Sequence, residues 1–402
     1  MPYTEITGGV TAPQGFVAGS AYAGIKASNP DRPDIALIYS PTETVAAATF
    51  TTNRVKAAPV RVSIIHLRNK DVRAIVANAG NANACTGLVG IESAKRMTAA
   101  TASALGIKPR QILVCSTGRI GVQMPIEKIE ATIATLPQTL TATGSRQAAE
   151  AIMTSDTFPK EVAVEFALDG KTVRIGGIAK GAGMIDPNMA TMLCFITTDA
   201  QIEKTELQQA LSVSVEQSFN RITIDGDMST NDTVIMLANG TAGNQPIRHG
   251  TAAGKTFQRA LDHLTKSLAR MIVEDGEGVT KFIEIQVNGA ATLNDARRAA
   301  EAVANSTLAK CAWFGGDPNW GRIMDAIGYS GAKIREELID IFYDGTIAVQ
   351  NGMPSRTPLN KLQEIVAKKR FKITIDFHLG KADYSVYTTD LSTDYVKLNM
   401  GE

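Results

Sequence analysis

Histidine is scarce in this sequence: His66, His249, His263 and His378 are four residues in 402, and none stands in a recognisable catalytic setting. An enzyme built on this chain would need another general base. Cysteine is as sparse. Cys85, Cys115, Cys194 and Cys311 lie far apart, with no CxxC pair and no nearby histidine. That spacing excludes a zinc site and a small disulfide framework, and leaves buried free thiols in a reducing compartment as the expectation. An excess of one charge is missing too, because 41 Lys+Arg against 40 Asp+Glu leave a net charge of +1. Nucleic acid and anionic membrane surfaces have no electrostatic case as partners. No apolar run approaches a membrane span. The opening MPYTEITGGV has neither a signal-peptide layout nor transit-peptide arginines, so the expected location is cytoplasmic.

What is present is ordinary for a globular chain: 44% hydrophobic residues, 20% charged and 34 glycines. Strand-like and helix-like segments alternate throughout. Residues 35–39, 45–51 and 72–77 read as strands, and 92–105 as a helix stopped by Gly106. A short buried strand is expected at 112–115, followed by helices at 125–136 and 145–153. Residues 161–168 and 171–178 flank Asp169-Gly170 as a hairpin. Further helices are expected at 204–219, 257–274, 293–304 and 319–327, strands at 192–196 and 282–287, and a closing strand pair at 370–377 and 384–388. Hairpins mixed with single helices predict mixed sheets covered by helices, not a doubly wound parallel sheet.

Several local patterns carry chemistry, each beside a plainer reading. Asp186-Pro187-Asn188-Met189-Ala190 runs through a turn into Thr191 and an apolar strand. An Ala-Thr pair there is either a strand start or the scissile bond of a precursor whose threonine, once N-terminal, brings its own amine as base. Ser116-Thr117-Gly118-Arg119-Ile120-Gly121 follows a buried strand. It reads as an oxyanion hole or as a glycine-bearing turn. The asparagine-rich run from Asn78 to Cys85 suits an ordered loop as well as a substrate contact. Asp225–Asp232 fails the calcium-loop template, with Thr230 in the glycine position and Met236 in the glutamate position, so no metal is expected. Thr154, Lys180 and Glu277 taken singly read as surface residues as readily as ligands, and Glu277 follows a helix end.

Together these segments resemble the glutamate N-acetyltransferase family, the ornithine acetyltransferases of arginine biosynthesis. The match runs through GGVTAPQGF at 8–16, TTNRVKAAPV at 51–60, NAGNANACTG at 78–87, STGRIG at 116–121 and KGAGMIDPNMATML at 180–193. It continues with SFNRITIDGDMSTNDT at 218–233, EDGEGVTKF at 274–282, DPNWGRI at 317–323 and DLSTDYVK at 390–397. The resemblance implies self-cleavage between Ala190 and Thr191 into chains 1–190 and 191–402 that stay together, commonly as a heterotetramer of two such pairs. It implies Thr191 as nucleophile, Thr117 and Gly118 as oxyanion hole, and Thr154, Lys180, Thr191, Glu277 and Asn399 as amino-acid-binding positions. The implied fold is the layered α/β, DmpA/ArgJ-like type, with mixed β-sheets between helices. The implied substrates are N-acetylornithine and glutamate, with no external cofactor and acetyl-CoA as a possible co-substrate. An amidohydrolase or aminopeptidase of the same cleavage logic, or a transferase for another acetylated amino acid, is the alternative.

Two departures from the family pattern stand out. After Asn399 the sequence reads Met400-Gly401-Glu402, where the family usually runs on to a substrate-binding threonine, so weaker amino-acid positioning is expected. Arg119 stands where a smaller or apolar residue is usual, and it either alters the site's electrostatics or points outward.

Overall fold

The computed structural model describes residues 3–26, 32–186 and 192–400. They form two units: residues 1–181, 188–220 and 228–272 in the first, and 182–187, 221–227 and 273–402 in the second. This division by packing is a separate matter from the covalent cut expected at 190/191, which lies outside the described residues.

In the first unit the strands are β1 (Thr4–Ile6), β2 (Val17–Ala21), β3 (Ile35–Tyr39), β4 (Val45–Phe50), β5 (Ala74–Asn81), β6 (Ile112–Arg119), β7 (Lys160–Leu168), β8 (Lys171–Lys180), β9 (Leu193–Thr198) and β10 (Thr233–Ala238). Its helices are α1 (Ala58–His66), α2 (Gly87–Leu105), α3 (Ile126–Thr135), α4 (Ser145–Ile152), α5 (Lys204–Glu216) and most of α6 (Ala252–Glu274). Two mixed sheets result, one ordered β2-β3-β5-β6 and the other β1-β7-β8-β9-β10-β4. The period of two along each strand makes the layers. On β6, Leu113 and Cys115 pack inward with Ile178 of β8, Phe195 of β9 and the alanines of α4, between the sheets. The alternate residues Ile112 and Val114 pack with Met97 of α2 and Ile129 of α3. Beyond the six-stranded sheet, α6 lays Leu264 and Leu268 against Gly177. On α5, the Gln208 amide exchanges hydrogen bonds of 3.1 Å with both backbone groups of Ala48, which covers the edge strand β4. Helices, two mixed sheets and helices follow one another, as the sequence pattern predicted.

The hairpin holds as expected: β7 and β8 pair antiparallel across Asp169 and Gly170, both at positive φ (51° and 75°), the signature of a two-residue turn matched to strand twist. Next to β8 lies β9, antiparallel, with Lys180 opposite Leu193. The strands on either side of the expected cut are therefore hydrogen-bonded neighbours.

In the second unit β11 (Phe282–Ala290), β12 (Asp340–Tyr343), β13 (Thr346–Gln350), β14 (Met353–Pro354), β15 (Arg370–Asp376) and β16 (Ala382–Thr389) form a sheet ordered β14-β13-β12-β15-β11-β16. Its helices are α7 (Leu293–Ala304), α8 (Thr307–Phe314), α9 (Trp320–Tyr329), α10 (Leu359–Val366) and α11 (Thr393–Leu398). One face of β11, β15 and β16 packs on α7–α10 around Trp313, Ile285, Ile373 and Val386.

Four expectations need correction. The segments 370–377 and 384–388 are not a strand pair, because β11 inserts between them, parallel to β15 and antiparallel to β16. Nor do they close the chain, since α11 follows. β6 continues through Thr117-Gly118 to Arg119 instead of turning after Cys115. Of the four cysteines only Cys115 and Cys194 are buried, while Cys85 and Cys311 are exposed. Among the described residues no helix is long and apolar enough to cross a membrane.

Candidate active site

β6 runs parallel to β5 as the last strand of the four-stranded sheet, and its end carries Thr117 and Gly118. Gly118 has φ of 131°, and a Cβ there would stand 2.3 Å from the carbonyl carbon of Gly80 on β5. Only glycine allows the two strands to meet so closely while they still pair. Thr117 is 4% exposed, and its hydroxyl makes no hydrogen bond among the described residues. A buried, uncommitted hydroxyl at the end of a strand held against β5 is available to stabilise a developing oxyanion. The backbone around it is held from both sides. Asn231 Nδ2 donates to the carbonyls of Ala82 (2.7 Å) and Ser116 (2.8 Å), and Ser116 donates to Asn78 Oδ1 at 2.6 Å.

The asparagine-rich run serves this loop. Asn78 donates to the Asn81 carbonyl, Asn81 to those of Val122 and Gln123, and Asn83 to that of Gly90. Its amides brace backbone, which favours the structural of the two readings. Arg119 lies at the exposed end of β6, where its carbonyl accepts from the Ala82 N–H at 2.9 Å.

At the end of β8 in the same unit, Lys180 is buried to 3% exposure, and its ammonium donates to Thr154 Oγ1 at 2.6 Å. Behind them sits Asp156, a residue that the sequence reading did not single out. Its carboxylate lies 2.8 Å from Lys160 Nζ and 3.7 Å from Lys180 Nζ, and it accepts the N–H groups of Gly181 (2.7 Å) and Thr154 (2.9 Å). Burial alone would raise the Asp156 carboxyl. The charges of Lys180 and Lys160 and the hydrogen bonds to Lys160 and Gly181 more than reverse this and hold it below the usual carboxylate range. A fully satisfied buried network of this kind fixes the Lys180 ammonium as a preformed cation for an anionic or carbonyl group. Lys180 and Thr154, read singly as possible surface residues, are thus joined in one cluster, with Lys180 buried and Thr154 half-buried.

In the second unit Glu277 and Asn399 also come together. Asn399 caps α11 and donates from Nδ2 to Glu277 Oε2 at 3.0 Å, while the Glu277 N–H reaches the Ala182 carbonyl at 2.8 Å. Gly183 makes room for this carboxylate, since a Cβ there would lie 2.6 Å from Glu277 Oε2. The turn after α6 is tied to α11 by the Ser392 hydroxyl, which donates to the Gly278 carbonyl at 2.6 Å.

Carboxylates of the loop once considered for a cation hold backbone instead. Asp225 accepts the N–H groups of Met184 (2.5 Å) and Ile185 (2.8 Å), and Asp232 accepts that of Met192 at 3.0 Å. The expected scissile pair, Ala190 and Thr191, lies outside the described residues.

Residues 17–401 match the ArgJ family. Over 98% of its length the chain is 46% identical to the arginine biosynthesis bifunctional protein ArgJ of Symbiobacterium thermophilum, covering 98% of that protein. It is 47% identical to the glutamate N-acetyltransferase of Methanocaldococcus jannaschii, again with 98% of each chain covered. A crystal structure of the arginine biosynthesis bifunctional protein ArgJ from Bacillus halodurans is similar with a TM-score of 0.50 at 39% identity, covering 52% of this chain and 98% of that one.

Proposed function

The chain belongs to the ArgJ family, and we propose on that premise that it moves the acetyl group of N2-acetylornithine to glutamate through an acetyl ester on Thr191. It is a glutamate N-acetyltransferase of arginine biosynthesis. The observation that carries this reading is the 47% identity to a glutamate N-acetyltransferase over 98% of both chains, far more than a shared motif.

The chemistry follows from a base that the chain must make for itself. Self-cleavage between Ala190 and Thr191 gives chains 1–190 and 191–402 and frees the threonine amine. An unperturbed α-amine has a pKa of about 7.7–8.0, close to working pH, and takes the proton of the neighbouring hydroxyl. The Thr191 oxygen attacks the acetyl carbonyl, the Thr117 hydroxyl and the Gly118 N–H receive the developing negative charge, and ornithine departs. Glutamate then removes the acetyl group from the threonine. Both substrates are α-amino acids, so one set of contacts serves donor and acceptor. Thr154, Lys180, Thr191, Glu277 and Asn399 are the proposed contacts, with Lys180 suited to a carboxylate and Glu277 to an ammonium group.

Pairing of β8 with β9 supports a cut that leaves the two chains associated. The Bacillus halodurans chain, matched over 98% of its length by only 52% of this one, has the size of half such a precursor. Two cleaved pairs in a cytoplasmic heterotetramer are the proposed assembly. No external cofactor takes part in the transfer, and acetyl-CoA is the candidate second acetyl donor.

Incubation with N-acetylornithine, with and without glutamate, tests the reaction. Transfer predicts at most one equivalent of ornithine per active site without glutamate and sustained release with it. Sustained release of acetate without glutamate would identify an amidohydrolase instead.

A further inference from the structure

Three cations of the first unit are fastened to one short stretch of chain, residues 151–154 at the end of α4, and the proposed contacts use only one of them. Lys180 donates to the Thr154 hydroxyl at 2.6 Å. Lys26, on the connection between β2 and β3, donates from Nζ to the carbonyls of Ala151 (3.1 Å) and Pro33 (3.2 Å). Arg32, on the same connection, donates from Nη2 to the Met153 sulfur at 2.7 Å. A thioether is a weak acceptor without charge, so the half-buried guanidinium has no anionic partner among the described residues. Lys26 is only 9% exposed. An ammonium has three N–H donors, and one of those on Lys26 is left without an acceptor among the described residues.

The carboxylates nearby are already engaged. Asp34 accepts the backbone N–H groups of Ala23 (2.7 Å), Ile25 (2.6 Å) and Lys26 (3.3 Å). Asp156 is shared between Lys160 and Lys180. Burial first, and then the charge of Arg32, lower the Lys26 ammonium to about 8; Lys180 adds to the fall, while Asp34 and Asp156 oppose it. An excess of buried positive charge is costly unless an anion arrives to share it.

We infer that Lys26 and Arg32 form the subsite for the side-chain carboxylate of the acceptor and select glutamate over neutral amino acids. This rests on the reading that the chain transfers acetyl to glutamate with Lys180 on the α-carboxylate. The attachment points of Lys26 and Lys180, residues 151 and 154, are at most about 11 Å apart along the chain. Cations held there can serve both ends of one small dicarboxylate. The α-amino-acid part is common to donor and acceptor, so only the side chain distinguishes them. That of N2-acetylornithine ends in an ammonium, which two further cations repel; that of glutamate ends in the carboxylate they attract. The planar fork of Arg32 matches both oxygens of a carboxylate, and Lys26 adds a point charge.

The experiment separates the two half-reactions. Mixing with N2-acetylornithine alone reports the burst of ornithine, and the acetyl-enzyme is then challenged with glutamate or glutamine. Arg32→Gln removes a half-buried group that holds only a sulfur, so the fold should survive. It should lower kcat/KM for glutamate at least about tenfold, through KM, while glutamine changes far less. Arg32→Lys, which restores the charge without the fork, should recover part of the loss. Lys26→Met should act in the same direction as Arg32→Gln, and if it does not fold, Arg32→Gln decides alone. In the parent, the preference for glutamate over glutamine should decline as pH rises through about 8, because the Lys26 cation is present below that value and lost above it. Arg32→Gln with the parental preference for glutamate would overturn the inference. So would an equal loss with glutamine, which marks a structural role. A parent that gives no ornithine burst, or passes no acetyl group to glutamate, fails earlier: the transferase reading falls, and the subsite with it.

Discussion

The two units hold their proposed substrate-binding residues in opposite ways. In the first, Lys180, Asp156 and Lys160 are almost wholly inaccessible, at 3%, 5% and 0% exposure, and each makes a hydrogen bond or charge contact that the sheet positions. In the second, Glu277 is half-buried and Asn399 exposed, joined by one hydrogen bond at the end of a six-residue helix. Buried ions tolerate no loss of a partner, whereas an exposed pair exchanges its partner for water at little cost. The first arrangement gives a rigid, preformed cation, and the second an adjustable contact.

The comparison breaks most visibly at Asp156. Asp156→Ala leaves Lys160 and Lys180 buried without their counter-charge and should cost about 3–5 kcal/mol of stability in denaturant unfolding. The effect also has a sign in pH. The folded carboxyl lies below its unfolded value, so its contribution is present above about pH 4 and is lost as pH falls further. The gap between parent and variant should close on acidification; a gap that widens would contradict the ion-pair account.

Thr117→Ala comes next. Loss of one oxyanion donor typically costs on the order of 3 kcal/mol, about a hundredfold in kcat, with KM little changed. Steady-state kinetics that show KM collapsing and kcat surviving would make Thr117 a binding residue. In the second unit, Gly183→Ala forces the Glu277 carboxylate to shift and should raise KM for the amino-acid substrate with the fold intact. The smallest effect belongs to Asn399→Ala, which removes the exposed hydrogen bond to Glu277, worth roughly 0.5–1.5 kcal/mol, along with one to the Tyr395 carbonyl of its own helix, and should raise KM about two- to tenfold. A loss at Asn399 as large as that at Asp156 would erase the contrast between the units.

Elements governed by local chemistry were legible in the sequence. Gly106 ends α2 in the left-handed conformation as a glycine stop should, and Asp169-Gly170 turns the hairpin. Long-range pairing was not legible. Nothing near Arg370 or Ala382 announces that β11, some eighty residues earlier, lies between their strands. The extension of β6 through Gly118 was hidden because Ser-Thr-Gly-Arg is also turn chemistry, and the reason for the glycine is the approach of Gly80 on another strand. The site divides along the same line. Resemblance named Thr154, Lys180, Glu277 and Asn399, and the structure joins them pairwise. Asp156 and Lys160 escaped because a charged residue destined for burial looks like a surface residue until its partner is known. Asp232 was seen, but only within a motif tested against a calcium-loop template and rejected, and nothing in the sequence showed that its carboxylate holds a backbone amide.

Intact-mass measurement on the purified protein and on Thr191→Ala, with N-terminal sequencing of the fragments, tests the central claim most directly. The parent should give two chains, residues 1–190 and 191–402, the second beginning with Thr191, and the variant one uncut and inactive chain. A parent that stays whole and fully active, or a Thr191→Ala variant cut at the same bond, would contradict it.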